Sequence, residues 1–440
     1  MNDKKQIFGW AMYDWANSAF ITTVSVAVFP IFFSSVVVPE NGFVIGGRTF
    51  SATSLLGFAS SLYALTIFLC APVLGAISDF SASKKKFLMV FCYGGSLFTI
   101  LIFLCGSGDV WLSLALFYLT NIGFVGGNIF YDAFLPQIAS EDRLDWVSGK
   151  GFAYGYIGGG LQFLLSILLI AGHGYIGISG VTAALASMVM AGVWWAGFSV
   201  FTLVYLKEPA IAESAAAGHP HLSFVDYAKI GISRTISTAK KVRRFKHLVL
   251  FLLAFMIYND AIQTVIKMAS IYGLEELKIP QTDILLTLLI IQFLAFFGAL
   301  LFSYLAGKLS TKRALMITIF LWMFITVYGY FITSSRDFFL LGVIVGWVMG
   351  GSQALSRSLY GSMIPVHATA EFYGFYSVFS KFSAIWGPAI FGYIEYVSGS
   401  SRNAIISLAA FFIVGLVLLS LVDVNRAKEV KTYALFNDSV

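Results

Sequence analysis

The sequence predicts an all-α membrane protein: twelve transmembrane helices in two six-helix bundles, with both termini in the cytoplasm. Composition is the first reason. Hydrophobic residues make up 58% of the 440 and charged residues 11%, where a soluble domain carries about 25% charge. Spacing is the second. Apolar runs long enough to cross a bilayer, about 20 residues each, fall at 10–37, 52–78, 87–105, 110–137, 148–172, 181–206, 247–272, 282–307, 312–333, 338–365, 371–398 and 402–423. The third is the stretch from Lys207 to Lys246, the most polar in the chain, which divides these runs six and six. The chain thus organises as a first bundle (1–206), a cytoplasmic linker (207–246), a second bundle (247–425) and a cytoplasmic tail (426–440).

The first run follows Lys4 and Lys5, carries Asp14 and Asn17 and continues past residue 30, too long for the core of a cleavable signal. The second ends in Gly75 to Asp79, followed by the basic cluster Lys84-Lys85-Lys86. Cys70, Cys92 and Cys105 lie in or beside apolar runs. Three cannot close a disulfide set and none has metal-ligand spacing to a histidine, so they read as reduced packing residues. The fifth run holds Gly155 and Gly158 to Gly160, which read as close helix contacts. They are not a nucleotide loop, because no strand precedes them and no Lys-Ser/Thr follows. In the linker, Ile230, Ile236 and Val242 among Arg234, Lys240, Lys241, Arg243 and Arg244 form an amphipathic candidate for the anionic inner leaflet.

Lys and Arg set the orientation. With the N-terminus inside, 21 of the 28 fall in cytoplasmic segments and four outside, at Arg48, Lys278, Arg336 and Arg402. The remaining three, Lys267, Arg357 and Lys381, lie within the runs. The basic residues form short clusters rather than one continuous face, so a pI near 9.0 does not imply a nucleic-acid partner. The five histidines show no ligand spacing. No metal site, cofactor motif or nucleophile–base pair emerges, and an enzyme reading has no support.

The two halves repeat in register. Gly126-Gly127-Asn128 in the fourth run answers Gly350-Gly351-Ser352 in the tenth. Leu135-Pro136 answers Ile364-Pro365 at an offset of 229, and the same offset takes Gly158 to Gly387. The run Gly75-Ala76-Ile77-Ser78-Asp79 with Lys84-Lys85-Lys86 resembles the loop signature of the major facilitator superfamily, departing from it at Phe80 and Ala82, where that family has Arg and Gly. Tyr13 to Phe20, Phe130 to Pro136 and the triple glycine Gly158 to Gly160 resemble the vacuole-effluxer-like branch, which includes the autophagy-related amino-acid exporters of fungi and bacterial relatives. The resemblance covers residues 8–425. It implies the major facilitator fold, with the first, fourth, seventh and tenth helices around a central cavity, and a gating role for Asp79 with Lys84 and Lys85.

An ionisable residue inside a bilayer helix is costly unless it meets a partner or water, so the embedded polar residues are the site candidates. They fall in stripes: Asp14, Asn17, Ser18 and Ser25; Asn121, Asn128 and Asp132; Asp260, Gln263, Thr264 and Lys267; Gln353, Ser356, Arg357 and Tyr360; Ser377, Ser380 and Lys381. Four of the five stripes lie on the helices that the resemblance places around the cavity. The acids Asp14 and Asp132 belong to the first half. Lys267, Arg357 and Lys381 belong to the second with Asp260, which sits at a depth where a bridge to Lys381 is feasible. A zwitterion then fits with its amine toward Asp14 and Asp132 and its carboxylate toward Arg357 and Lys381.

The sequence thus reads as a secondary transporter of a small polar or zwitterionic metabolite, amino acids first, working as a monomer in a bacterial cytoplasmic (inner) membrane. Asn17, Asn128, Gln263, Lys267 and Gln353 complete the substrate set. Asp260, then Asp14, are the candidates for proton coupling. The rival readings are a proton-coupled exporter of amphipathic drugs or lipids and a non-transporting receptor or assembly factor on the same fold.

Overall fold

A computed structural model of the chain describes residues 1–208, 226, 229–233, 236, 245–383 and 386–437. The basic residues Arg234, Lys240, Lys241, Arg243 and Arg244 of the amphipathic linker candidate, and Val242, lie outside the described residues.

Helix α1 (Lys4–Val37) starts at Asp3, whose carboxylate accepts the N–H of Lys5 and satisfies one of the first-turn donors. From Phe20 it widens into two π-helical stretches, Phe20–Val28 and Phe33–Val37, with Pro30 in the short piece between them. Proline has no N–H to give the helical ladder, and π-helical turns of this kind occur frequently at functional sites. A small hairpin follows (β1, Phe43–Ile45; β2, Arg48–Phe50). Its two-residue turn is Gly46-Gly47, both at positive φ, 58° and 78°.

The rest is helical: α2 (Ala52–Phe80), α3 (Lys84–Leu101), α4 (Val110–Ile138), α5 (Leu144–Ala171), α6 (Gly180–Tyr205), α7 (Lys246–Glu275), α8 (Gln281–Leu309), α9 (Thr311–Phe331), α10 (Ser335–Met363), α11 (Thr369–Phe382), α12 (Trp386–Ser398), α13 (Ser401–Ser420) and α14 (Val424–Asn437). Among the described residues eleven helices, α1 to α10 and α13, are long and apolar enough to cross a membrane. The predicted eleventh run, 371–398, is instead the pair α11 and α12. Gly387-Pro388 disfavours a continuous helix here, since proline gives no N–H to the helical ladder; α2 and α4 nonetheless run through Pro72 and Pro136 without ending.

In the first half α1 packs on α5 and α6, and α3 on α4 and α6; in the second, α8 packs on α10 and α7 on α13. The halves meet along α2–α11 and α5–α8. Both ends of the chain reach the α4–α5 connection: the N–H of Asn2 donates to the Ile138 carbonyl at 2.7 Å, and Lys431 Nζ to Glu141 at 2.8 Å. The termini therefore share one face of the bundle.

The register of the repeat survives in the packing. Gly158 of α5 lies on the backbone of Trp15 in α1, where a Cβ would stand 2.4 Å from the Trp15 carbonyl oxygen. Its counterpart Gly387 lies in the same way on Asp260 of α7, where a Cβ would stand 3.0 Å from the Asp260 carbonyl oxygen. Gly158→Ala should therefore push α1 from α5 and cost about 1–3 kcal/mol, the usual penalty of overpacking. Gly197→Ala on α6, where a Cβ meets nothing within 4 Å, should leave stability unchanged or slightly raised. Thermal unfolding of the two purified variants checks this; equal melting temperatures would contradict it.

Candidate functional site

Between the halves lies a cavity of about 230 Å³. Its polar lining includes Asn128 and Asp132 from α4, Asn259 and Gln263 from α7, Gln353 from α10 and Lys381 from α11. Phe124, Phe152 and Phe255 supply apolar wall. Ser377 and Ser380 reach the cavity with Lys381, as their shared stripe predicts.

Asp132, which lines the cavity, is held by one guanidinium. Arg357 leaves α10 and enters the first half, where it is 3% exposed. Its Nη1 donates to Asp14 Oδ2 at 3.2 Å and to Asp132 Oδ1 at 3.1 Å. Its Nε donates to the Ser148 hydroxyl at 3.0 Å and its Nη2 to the Ser148 carbonyl at 2.8 Å. The rings of Phe152, Trp10 and Tyr131 lie 4.0, 4.8 and 5.4 Å from the guanidinium carbon. The planar fork of arginine suits this arrangement, since it can serve several acceptors while its faces stack on rings. Tyr131 donates to Asp14 Oδ2 at 2.7 Å, and Trp10 donates to the Tyr131 carbonyl at 2.8 Å. Gly151 of α5 leaves the space: a Cβ there would meet Trp10, Arg357 Nη2 and Asp14 Oδ2, all within 2.8 Å.

This corrects the predicted division of charge. Arg357 does not join Lys381 opposite the two acids; it is their counter-ion. Arg357 lies one turn, about 6 Å, beyond Gln353 along α10, and its side chain meets the first half there while Gln353 and Ser356 line the cavity. Tyr360, from the same stripe, donates instead to the Phe372 carbonyl at 2.6 Å. With both carboxyl groups ionised, the cluster carries one negative charge in excess.

The α7 stripe also splits. Gln263 lines the cavity, but Asp260 turns onto the start of α12, where Oδ2 accepts the Gly387 N–H at 2.8 Å. Asp260 and Lys381 make no ion pair, and the feasible bridge between them is not formed. Lys381 meets a ring of the other half, its Nζ lying 5.7 Å from the centroid of Tyr63 on α2. Lys267 is exposed and stands outside the cavity lining. Asn17 donates to Asn128 at 2.7 Å and so steadies a lining residue without being one. Asn121 bonds back to the Phe117 carbonyl of its own helix at 2.8 Å.

Asp79 sits where α2 meets α11. Its carboxylate pairs with Lys84 Nζ at 2.6 Å and accepts the N–H of Glu371, in the first turn of α11, at 2.9 Å. The backbone N–H groups of Lys84 and Lys85 open α3 and are taken by the two carboxylate oxygens of Glu208, at 3.0 and 2.7 Å. Glu208 is half-buried, and that burial raises its carboxyl above the usual range. Sequence reasoning missed Glu208, Ser148 and Asn259. Asn259 donates to Ser383 at 2.5 Å; as a polar residue beside Asp260 in an apolar run it carried a signal. Ser148, at the edge of its run, carried none.

A family profile described as "Vacuole effluxer Atg22 like" matches residues 2–145 and 142–432. The protein described as "Uncharacterized MFS-type transporter YxiO", from Bacillus subtilis, is 33% identical over 429 residues, covering 97% of this chain and 96% of that one. Autophagy-related protein 22-1 of Penicillium rubens is 29% identical over 302 residues, 64% of this chain and 50% of the relative, so the chain spans about half the length of that protein. Among solved structures, the human organic anion transporter MFSD10 (TETRAN) matches with a TM-score of 0.69 over 94% of this chain and 99% of that one, at 13% identity, which is a likeness of fold. The relatives and the fold are those of a transporter and not of an enzyme. The chain belongs to the vacuole effluxer Atg22-like family, on the transporter fold of the major facilitator superfamily.

Proposed function

We propose that the chain carries a small zwitterionic metabolite, amino acids first, across a bacterial cytoplasmic membrane by alternating access, as a monomer with its termini inside. The observation that supports this best is the charge layout of the cavity. On the first-half side, Asp132 presents the excess negative charge of the arginine cluster, its side chain still 17% exposed. On the second-half side Lys381 reaches the cavity without a carboxylate partner among the described ion pairs. A zwitterion lays its ammonium on Asp132 and its carboxylate on Lys381, with Asn128, Gln263 and Gln353 offering amide bonds between them. Arg357 in this reading is the lock beneath the site.

Charge complementarity also gives the substrate a way to act on the lock. An ammonium at Asp132 competes with Arg357 for the same carboxylate and weakens one of the bonds between the halves. Asp79, with Lys84 and Lys85 beside it, acts as the gate at the α2–α11 contact, and Asp14 couples through the cluster. The aromatic walls favour a second reading, export of an amphipathic drug or lipid. Against it, 230 Å³ falls below the roughly 300–1,000 Å³ of drug-sized pockets.

Asp132→Asn and Lys381→Met should each weaken substrate binding by about tenfold to a hundredfold, the worth of a charged hydrogen bond. Counterflow in proteoliposomes with an amino acid, its amine analogue and its acid analogue checks this. Lys381→Met should spare the amine, and Asp132→Asn the acid. Equal losses for all three compounds would remove the zwitterion reading, and wild-type protein that transports only apolar drugs would favour its rival. No transport of any compound would leave the receptor reading.

Asp79→Asn should slow turnover severalfold while leaving equilibrium affinity within about twofold, because it touches the contact between halves and not the cavity. Parallel measurements of turnover and Kd test this. A large loss of affinity at normal turnover would contradict the gating role.

A further inference from the structure

Asp260 is an embedded carboxylate that the cavity does not use. It is 2% exposed. One oxygen, Oδ2, accepts the N–H of Gly387, the second residue of α12. The other, Oδ1, is buried and has no hydrogen-bond partner among the described residues. Thr264 donates to the Asp260 main-chain carbonyl at 2.7 Å. A Cβ on Gly387 would stand 2.0 Å from the Thr264 hydroxyl and 2.9 Å from Asp260 Oδ1, so only a glycine lets the chain come this close.

The first-turn N–H groups of a helix have no partners in the helix, and its positive end favours an anion. Ionised, Asp260 fastens the start of α12 to α7. The bare oxygen is the unfavourable part of the arrangement, because a carboxylate oxygen away from water with no donor carries its full desolvation penalty. A proton on Oδ1 removes the charge and with it the larger part of that penalty. The same proton turns the bond to Gly387 from charge-assisted into neutral, roughly halving its strength.

The charges around Asp260 leave it responsive. Lys267 is two turns along the same helix, about 10 Å by axial rise, and Lys381 lies in the last turn of α11 facing Tyr63. On α12, Glu395 is hydrogen-bonded by Ser401. On α13, Arg402 pairs with Glu276 at 3.0 Å, and on α10, Arg357 belongs to the cluster. The charged residues of α8 and α9 (Asp283, Lys308, Lys312 and Arg313) sit near helix ends. Among the described residues no basic group pairs with Asp260.

We propose that Asp260 is a proton-binding site that holds α12 on α7 when ionised and releases its first turn when protonated. Lys381 lies in the last turn of the preceding helix, so the state of Asp260 bears on the lysine that faces the cavity. The consequence for coupling rests on the transport reading above; the site itself does not.

Hydrogen–deuterium exchange of the full chain in lipid nanodiscs, without substrate, tests the site. Rates are corrected for the intrinsic pH dependence of amide exchange. As pH falls from about 8 to about 5, amides in the peptide 386–392 should exchange about tenfold faster, as expected for losing the charged part of one hydrogen bond. The sign follows from the ionised form being the one that fastens the helix. In Asp260→Asn the same peptide should exchange fast at both pH values. A flat wild-type profile overturns the proposal, as does the same step persisting in Asp260→Asn. Protection that responds to sodium at constant pH overturns it in favour of a metal cation. Should the variant fail to fold, the wild-type titration still decides. In proteoliposomes, transport driven by a pH gradient equally in both proteins would refute coupling at Asp260. Absence of any transport in wild type would refute the proposed function while leaving the exchange result standing.

Discussion

A guanidinium buried in an apolar bundle has to be matched or the bundle does not hold, and Arg357 sets that condition here. Removing a charge from water costs several kcal/mol, recovered only with good geometry and full hydrogen bonding. Every partner that meets the condition comes from the other half: Asp14 and Trp10 on α1, Asp132 and Tyr131 on α4, Ser148 and Phe152 on α5. The cluster is therefore a bond between halves as much as a packing feature. Parting the halves has to break it or carry the arginine away intact, and either route exposes charge.

Other contacts between the halves share this load. Asp79 reaches α11. Asp145 on α5 accepts from Thr311 at 2.7 Å and Ser358 at 2.5 Å. Tyr156 donates to Gln353 at 2.7 Å. Lys431 of the terminal helix holds Glu141 of one half and the Ser362 carbonyl of the other. These are polar contacts of modest individual strength set around one well-matched ion cluster. Such an interface can be strong closed and still be opened by a change of charge at one member.

The two halves repeat in backbone and differ in chemistry. Gly158 on Trp15 and Gly387 on Asp260 are the same helix contact made twice. At the second, the facing residue is an acid, and the helix it meets starts afresh at Trp386. The last turn of α2 carries Asp79, whereas the corresponding stretch, from the end of α8 into α9, has Ser303, Gly307 and Lys312-Arg313 with no acid. Repetition fixes where helices cross, and the side chains at those crossings make the halves unequal.

Much of this was legible in the chain itself. A helix that crosses a bilayer needs about 20 mostly apolar residues, so the ten runs from the first to the tenth, and the twelfth, appear as helices near their predicted bounds. The repeat and the loop after α2 gave the fold. The stripes single out Asn128, Asp132, Gln353 and Lys381, which line the cavity, and Asp14, which joins the arginine cluster, because a polar group in such a helix needs a reason to be there. Helical periodicity says which residues share a side but not which neighbour that side meets. For that reason the sequence alone sets Arg357 opposite Asp14 and Asp132 instead of between them, allows a bridge from Asp260 to Lys381 that is not formed, and runs one helix through Gly387-Pro388. Composition and period depend on residues near one another in sequence. The pairing of Arg357 with Asp14, 343 positions away, depends on how two bundles dock, and only the tertiary structure decides that.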